Sequence, residues 1–500
     1  MFSLLNKSDR VRNETDASER PAYFIDLNLD QILEKVTADW GEEAEGLYEG
    51  FPEDRKTEEY RRAIYSDIKN SEVLSAMNGY YGSIKERRLF AERKEKAYET
   101  LQTQAWYLRE TCAYADALEK LKEELDKAPL ASEGMKGLLS FINDCLSSES
   151  YLKLRDEAMA LRSELASFRV LITYEKEKIT ITDGKGTGAF EEFLSGCFPE
   201  HGKNFINPFL DREVFSDLEE EIVSLYRRKH KDFFKRLDKF CKNNPEYMHE
   251  GISELEHEMV YYLAYAQFQK KMEERGFNFC TPKASEDKLM ASGLYDLALA
   301  LVNYEAGKEV VSNETYLGAD ERFFVLTGPN QGGKTTYARS LGQLVYFSKM
   351  GLDVPADAAQ VPYYSNLWTH FSVEESTETG RGKLMDELVR LKPIMEKEQH
   401  GAFVVINELF TTAANYDATI MGKRVLEHLI GINCKGIYVT HLIELASSYP
   451  EVVSIRANVD ENLKQTYKIE RDEAREITGT DRQAYKYGLT YEQLKERFNS

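Results

Sequence analysis

A chain of 500 residues with 42% apolar and 30% charged side chains has the length for about two to four packed domains. No apolar run approaches the roughly 18 residues of a membrane span, and the N-terminus lacks the basic, apolar and small-residue order of a secretory signal. The formal charge of −21 excludes a surface that is basic overall, so any nucleic-acid contact must come from a local cluster of Lys and Arg.

Residues 1–20 are polar and charged and read as an N-terminal arm. Residues 21–167 carry a helical pattern, with Lys, Glu, Ala and Leu at three- and four-residue spacing from Ile84 to Lys127. Lys127-Ala-Pro129 and Ser147 to Ser150 read as helix boundaries within this helical core domain. Residues 168–208 change character. Phe168-Arg-Val-Leu-Ile-Thr-Tyr and Lys178-Ile-Thr-Ile-Thr-Asp-Gly-Lys-Gly predict short strands and a turn, a small β-rich insert.

Residues 209–284 return to helical spacing and read as lever helices. Tyr226, His230, Phe233, Leu237 and Phe240 form an apolar stripe. The other faces carry Arg227, Arg228, Lys229, Lys231, Lys235, Arg236, Lys239 and Lys242 against only Asp232 and Asp238. Such a run is either a solvated helix face or an arm that contacts phosphates. In so acidic a chain the second reading makes Arg227, Arg228, Lys231 and Lys235 nucleic-acid candidates.

Residues 285–500 alternate strands with helices, which predicts an α/β domain with a mainly parallel sheet covered on both faces. The expected strands are Phe323 to Thr327, Ala402 to Ile406 and Gly436 to Thr440. The six cysteines (Cys112, Cys145, Cys197, Cys241, Cys280, Cys434) show no paired short spacing. They suggest neither a zinc site nor a disulfide framework, and a reducing cytoplasm is the expected home.

The first of these strands runs straight into Gly328-Pro-Asn-Gln-Gly-Gly-Lys-Thr335, followed by a helix-compatible run from Thr336 to Met350. A glycine-rich loop between strand and helix leaves successive backbone N–H groups free to wrap an anion at a helix N-terminus. The pattern is a phosphate-binding loop. Gly328, Pro329, Asn330, Gln331, Gly332 and Gly333 form the cradle, with Thr336 opening the helix. Lys334 is expected on the β/γ-phosphates of ATP, and the Thr335 hydroxyl on Mg²⁺.

Phosphoryl transfer also needs a group near the metal, a residue that activates water, and a contact to the terminal phosphate. Phe403-Val-Val-Ile-Asn-Glu408 is an apolar strand emptying onto two polar side chains. Asn407 can hydrogen-bond a metal-bound water but adds no charge, and Glu408 is the candidate general base. The third strand ends in Thr440-His441, which places His441 to hydrogen-bond the terminal phosphate. The remaining histidines have no such context.

With these motifs in order, the chain resembles the MutS family, a branch of the ABC-type ATPases. The loop Thr327-Gly-Pro-Asn-Gln-Gly-Gly-Lys-Thr335 is similar to the family's Thr-Gly-Pro-Asn-Met-Gly-Gly-Lys-Ser/Thr. Val354-Pro-Ala356, Asn415-Tyr-Asp-Ala418, Thr440-His-Leu-Ile-Glu-Leu445 and Ala484-Tyr-Lys-Tyr-Gly-Leu489 resemble further landmarks in the same order. Gly380-Arg-Gly-Lys-Leu-Met-Asp-Glu-Leu388 resembles Gly-Arg-Ser-Thr-Phe-Met-x-Glu-Met. The helical regions upstream resemble the core and levers of the family.

The resemblance implies a dimeric ATP sandwich in which Gly380, Arg381 and Gly382 reach the nucleotide of the opposing subunit. Two departures stand out: the family's Ser in that segment falls at Gly382, and Asn407 replaces the usual Asp. Both imply weaker metal binding and slow turnover. The family's mismatch-reading Phe-x-Glu motif sits in an N-terminal α/β domain. Phe51-Pro-Glu53 and Phe198-Pro-Glu200 have no such context and read as loop coincidences. No C-terminal dimerisation helices or nuclease-like appendage are expected after Ser500.

A minimal MutS-like protein without mismatch recognition is therefore expected: a nucleotide-gated homodimeric clamp on DNA, related to repair or recombination, with ATP and Mg²⁺ as cofactors. An ATPase acting on ribosomes or structured RNA, and a non-hydrolysing ATP-gated scaffold, are the alternatives.

Overall fold

The computed structural model describes residues 2–7, 20–52, 54–97, 100–168, 170–175, 178–183, 225, 227–372, 383–396, 400–460, 464–475, 491, 495 and 497. Most of the N-terminal arm, residues 184–224, the segment 380–382, the Phe198 and Ala484 motifs and Glu53 lie outside them. The described residues divide into two compact units. One holds residues 70–131 and 135–259, the other residues 3–69, 132–134 and 260–500.

The first unit is helical. Helices Ser71–Lys96 and Thr100–Lys127 are each about 40 Å long at 1.5 Å per residue. Asn70 starts the first by accepting N–H bonds from Glu72 and Val73, at 2.9 and 3.4 Å. Helix Thr100–Lys127 ends at the expected Lys127 boundary, and another helix begins at Glu149 behind a Ser148 cap. Tyr107, Leu108, Leu154, Leu161, Phe233, Leu237 and Phe240 share one core cluster. Of the expected stripe, Phe233, Leu237 and Phe240 are the buried face of helix Lys231–Asn243, His230 stands half-buried just before it, and Tyr226 lies outside the described residues. Strands Val170–Glu175 and Lys178–Asp183 pair antiparallel, as the alternation over those residues predicts.

The second unit contains a six-stranded sheet. For it we number strands β1 Phe323–Thr327, β2 Leu367–Phe371, β3 Phe403–Asn407, β4 Lys435–Val439, β5 Val452–Val459 and β6 Gln465–Arg471. Their order is β6-β5-β1-β4-β3-β2, parallel throughout except for the β5–β6 hairpin. Strands β1, β3 and β4 are buried along their whole length, as expected when helices cover both faces. A second sheet of four short strands, 283–285, 289–294, 313–317 and 358–362, mixes parallel and antiparallel pairs.

Three helices position the functional region: α1 Lys334–Met350, α2 Lys383–Glu396 and α3 Asn415–Gly431. Residues 3–69 pack against α1 and α2. Tyr346 of α1 meets the rings of Phe24 and Phe51, and its hydroxyl donates to Tyr48 O at 2.7 Å. Gln343, fully buried, donates to Leu27 O and Asp296 Oδ1 and accepts from Leu297 N. The helical patterning of residues 21–167 could not reveal this division. It shows that residues are helical, and not which core their apolar faces enter. Among the described residues no helix is long and apolar enough to cross a membrane.

Candidate functional site

Strand β1 delivers the chain to the glycine-rich loop, and α1 leaves it. Gly328 and Gly333 both hold positive φ, +135° and +85°, which L side chains rarely adopt. Space is short as well: a Cβ on Gly328 would stand 2.9 Å from the Ala457 Cβ, and one on Gly333 3.3 Å from the Tyr467 ring. Gln331 also takes positive φ, at +61°.

Lys334 is only 5% exposed. Its Nζ donates to the carbonyls of Gly328 and Pro329, at 3.1 and 3.0 Å, and no carboxylate pairs with it among the described residues. Burial lowers its pKa, and the charge of Glu408 acts against that. A buried ammonium held only by loop carbonyls, at the N-terminal end of a 17-residue helix, is a place where an anion would be welcome.

The parallel strands beside β1 bring the other candidates in. Asn407 ends β3, and its Oδ1 accepts the Thr335 hydroxyl at 3.2 Å. Glu408 follows with φ +56°, its N–H donating to Val439 O of β4 at 3.0 Å. Just past β4 stands His441, whose Nε2 lies 3.0 Å from Glu408 Oε1. An ionised carboxylate only accepts, so Nε2 carries the proton in this pair.

A cavity of about 660 Å³ joins these groups. Asn330, Gln331, Gly333, Lys334, Thr335 and Thr336 line it from the loop, and Glu408 and His441 from the strand ends. The candidate residues on 328–336, 407–408 and 441 therefore come together. Gly380, Arg381 and Gly382 lie outside the described residues. Arg227, Arg228, Lys231 and Lys235 are exposed at and before helix Lys231–Asn243 in the other unit.

One wall of the cavity was not legible in the sequence. Tyr467 projects from β6 with φ +57°, beside Gly333. Asn313 holds its peptide in place: Nδ2 donates to Tyr467 O at 3.2 Å, and Oδ1 accepts from Ile469 N at 2.8 Å. Gln465 from the same strand donates to Asn330 O of the loop at 3.0 Å. No motif marks these residues, and the signal available was only the alternation of a short edge strand.

The residue set fits a nucleotide with its metal. The loop amides and Lys334 offer donors to an anion. The Thr335 hydroxyl and, directly or through a bound water, Asn407 Oδ1 are the oxygens that would hold a magnesium ion here. Among the described residues no cluster of three or more His, Cys, Asp or Glu could hold a metal by itself.

Residues 324–486 match the family MutS domain V. A DNA mismatch repair protein MutS from Thermotoga neapolitana is 27% identical over 220 residues, 43% of this chain and 26% of that protein. The MutS protein of Fervidobacterium nodosum is 29% identical over 157 residues, 31% of this chain and 19% of its own. That of Ruegeria pomeroyi is 29% identical over 201 residues, covering 39% and 22%. The matched stretch spans about a quarter or less of the length of these relatives.

Proposed function

We propose that this protein, a MutS-family chain whose residues 324–486 match MutS domain V, binds and slowly hydrolyses ATP, using the exchange to gate a homodimeric clamp on DNA. The fold would be that of a P-loop, ABC-type ATPase. The observation that carries the reading is the single cavity shared by Lys334, Thr335, Glu408 and His441.

In this reading the loop amides and Lys334 hold the phosphates, Lys334 giving up its bonds to the Gly328 and Pro329 carbonyls. Thr335 and Asn407 would hold Mg²⁺, directly or through water, and the ion would supply positive charge to the phosphate oxygens. Glu408 orients a water and accepts its proton on the carboxylate. His441, held at Nε2 by that same carboxylate, presents its ring to the cavity beside the loop. Tyr467 supplies an aromatic flank for the nucleoside. Asn407 leaves the site one negative charge short of an acidic pair, which supports slow turnover.

Segment 380–382 is the part we assign to the opposing subunit's nucleotide, so that only a closed dimer completes both sites. The exposed run Arg227, Arg228, Lys231 and Lys235 supports contact with a polyanion, for which DNA follows from the relatives' role in mismatch repair.

Titration calorimetry with ATP and Mg²⁺ tests the binding. The parent should bind and Lys334→Ala should lose at least roughly a hundredfold in affinity, the loss expected when a charge-assisted phosphate contact goes. Equal affinities would overturn the assignment of the loop.

A further inference from the structure

Helix α2 buries one acid whose role the motif does not explain. Glu387, 3% exposed, accepts the backbone N–H of Phe410 at Oε2, 3.0 Å away. That N–H belongs to the turn Glu408-Leu409-Phe410, directly after β3. Glu408 and Phe410 both hold positive φ, +56° and +62°, without being glycine. L residues persist in that region only where surrounding contacts fix them.

The fixing contacts come from two sides. On one, Glu408 N donates to Val439 O of β4. On the other stands the Glu387 carboxylate. Leu409 and Phe410 are both buried, so water cannot replace that acceptor. Helix α2 is itself anchored one turn further on, where Arg390 donates to Phe371 O at 2.7 Å and pairs with Asp26 at 3.2 Å.

We propose that Glu387 is a positioning residue for Glu408. Its carboxylate holds the turn that aims Glu408 at His441, and it ties that aim to the helix that begins directly after segment 380–382. A shift of α2 would then release the Phe410 N–H and misdirect Glu408 without touching the loop that holds the phosphates. The inference rests on the ATPase reading above, since it gives Glu408 its task.

The test uses Glu387→Leu, which removes the acceptor at similar volume, and Glu387→Gln, which keeps an acceptor oxygen. Exchange of the Phe410 amide is measured by NMR without nucleotide, and kcat and KM for ATP by phosphate release. Glu387→Leu should speed Phe410 exchange and lower kcat by roughly tenfold each, with KM within about twofold of the parent. Glu387→Gln should recover most of both. Should the Leu variant not fold, Glu387→Asp withdraws the acceptor by one methylene and should lower kcat in the same sense at unchanged KM.

Three outcomes would overturn the proposal: unchanged exchange and kcat in Glu387→Leu and Glu387→Asp, a Gln variant as impaired as the Leu variant, or a kcat loss matched by an equal loss of ATP affinity. Failure of the ATPase reading looks different. There the parent releases no phosphate, or Glu408→Gln releases it at the parent rate, while the exchange measurement still decides whether Glu387 holds the turn.

Discussion

Glu408 Oε1 and His441 Nε2 lie 3.0 Å apart, although 33 residues separate them in the chain. The contact follows from register: β3 and β4 pair in parallel with Asn407 opposite Val439, so the residues just beyond both strands emerge side by side. Removing the imidazole takes away the contact to Glu408 Oε1 that this register supplies. His441→Ala should therefore lower kcat for ATP by roughly 100-fold, the low end for a positioned acid–base group, and leave ATP affinity nearly unchanged. Steady-state phosphate release and calorimetry check the two halves.

Gly333→Ala should weaken ATP and the fold together. The φ of +85° and the Tyr467 ring at 3.3 Å leave an added methyl both strained and crowded. A cost of about 1 kcal/mol in stability is expected, read from a denaturant midpoint, with at least roughly tenfold weaker ATP binding. Tyr467→Ala separates the effects. It relieves the crowding but should itself weaken nucleotide binding by roughly tenfold through the lost aromatic contact.

Much of the site was legible because its chemistry is local. The loop from Gly328 to Thr335 announces itself by spacing, and Glu408 and His441 stand out as polar residues ending apolar strands. The structure places the second and third strands within one residue of their expected bounds. Tyr467 and Asn313 were not legible, since their place depends on how a hairpin edge folds back over the loop. The attachment of residues 3–69 to α1 was hidden for a similar reason: periodicity marks the buried face of a helix but not its partner. Glu387 lay within a recognised motif, yet its bond to Phe410 crosses between a helix and a turn 23 residues away.

His370 gives the fold a pH dependence. It is 1% exposed on β2, its Nδ1 has no partner among the described residues, and its Nε2 lies 3.3 Å from Glu387 O. Burial, helped by the charge of Arg390, lowers its pKa from the ordinary 6.5 to about 4. Between those values the unfolded chain binds the extra proton, so the contribution is complete above pH 6.5 and is lost as pH falls toward 4. About 2 kcal/mol should go between pH 7 and 5. Chemical denaturation of the parent and of His370→Gln at both pH values checks this: the variant should lack that increment.

Neutralising Arg227, Arg228, Lys231 and Lys235 together should flatten the salt dependence of polyanion binding. Each phosphate contact removed lowers the slope of log K against log salt by about 0.9 for duplex DNA. Fluorescence anisotropy with labelled duplex across a salt series gives the slope, and an unchanged slope would remove this helix from the interface. Co-sedimentation with ribosomes in place of duplex binding would redirect the same surface to RNA.

We assign ATP hydrolysis in this cavity to Glu408, and the deciding comparison is phosphate release and ATP affinity of the parent against Glu408→Gln, at saturating ATP and Mg²⁺. The expected result is slow but clear turnover in the parent, at least roughly a hundredfold less in Glu408→Gln, and ATP affinity kept within a few-fold. Equal release rates in the two proteins, or none in the parent despite tight ATP binding, would contradict it.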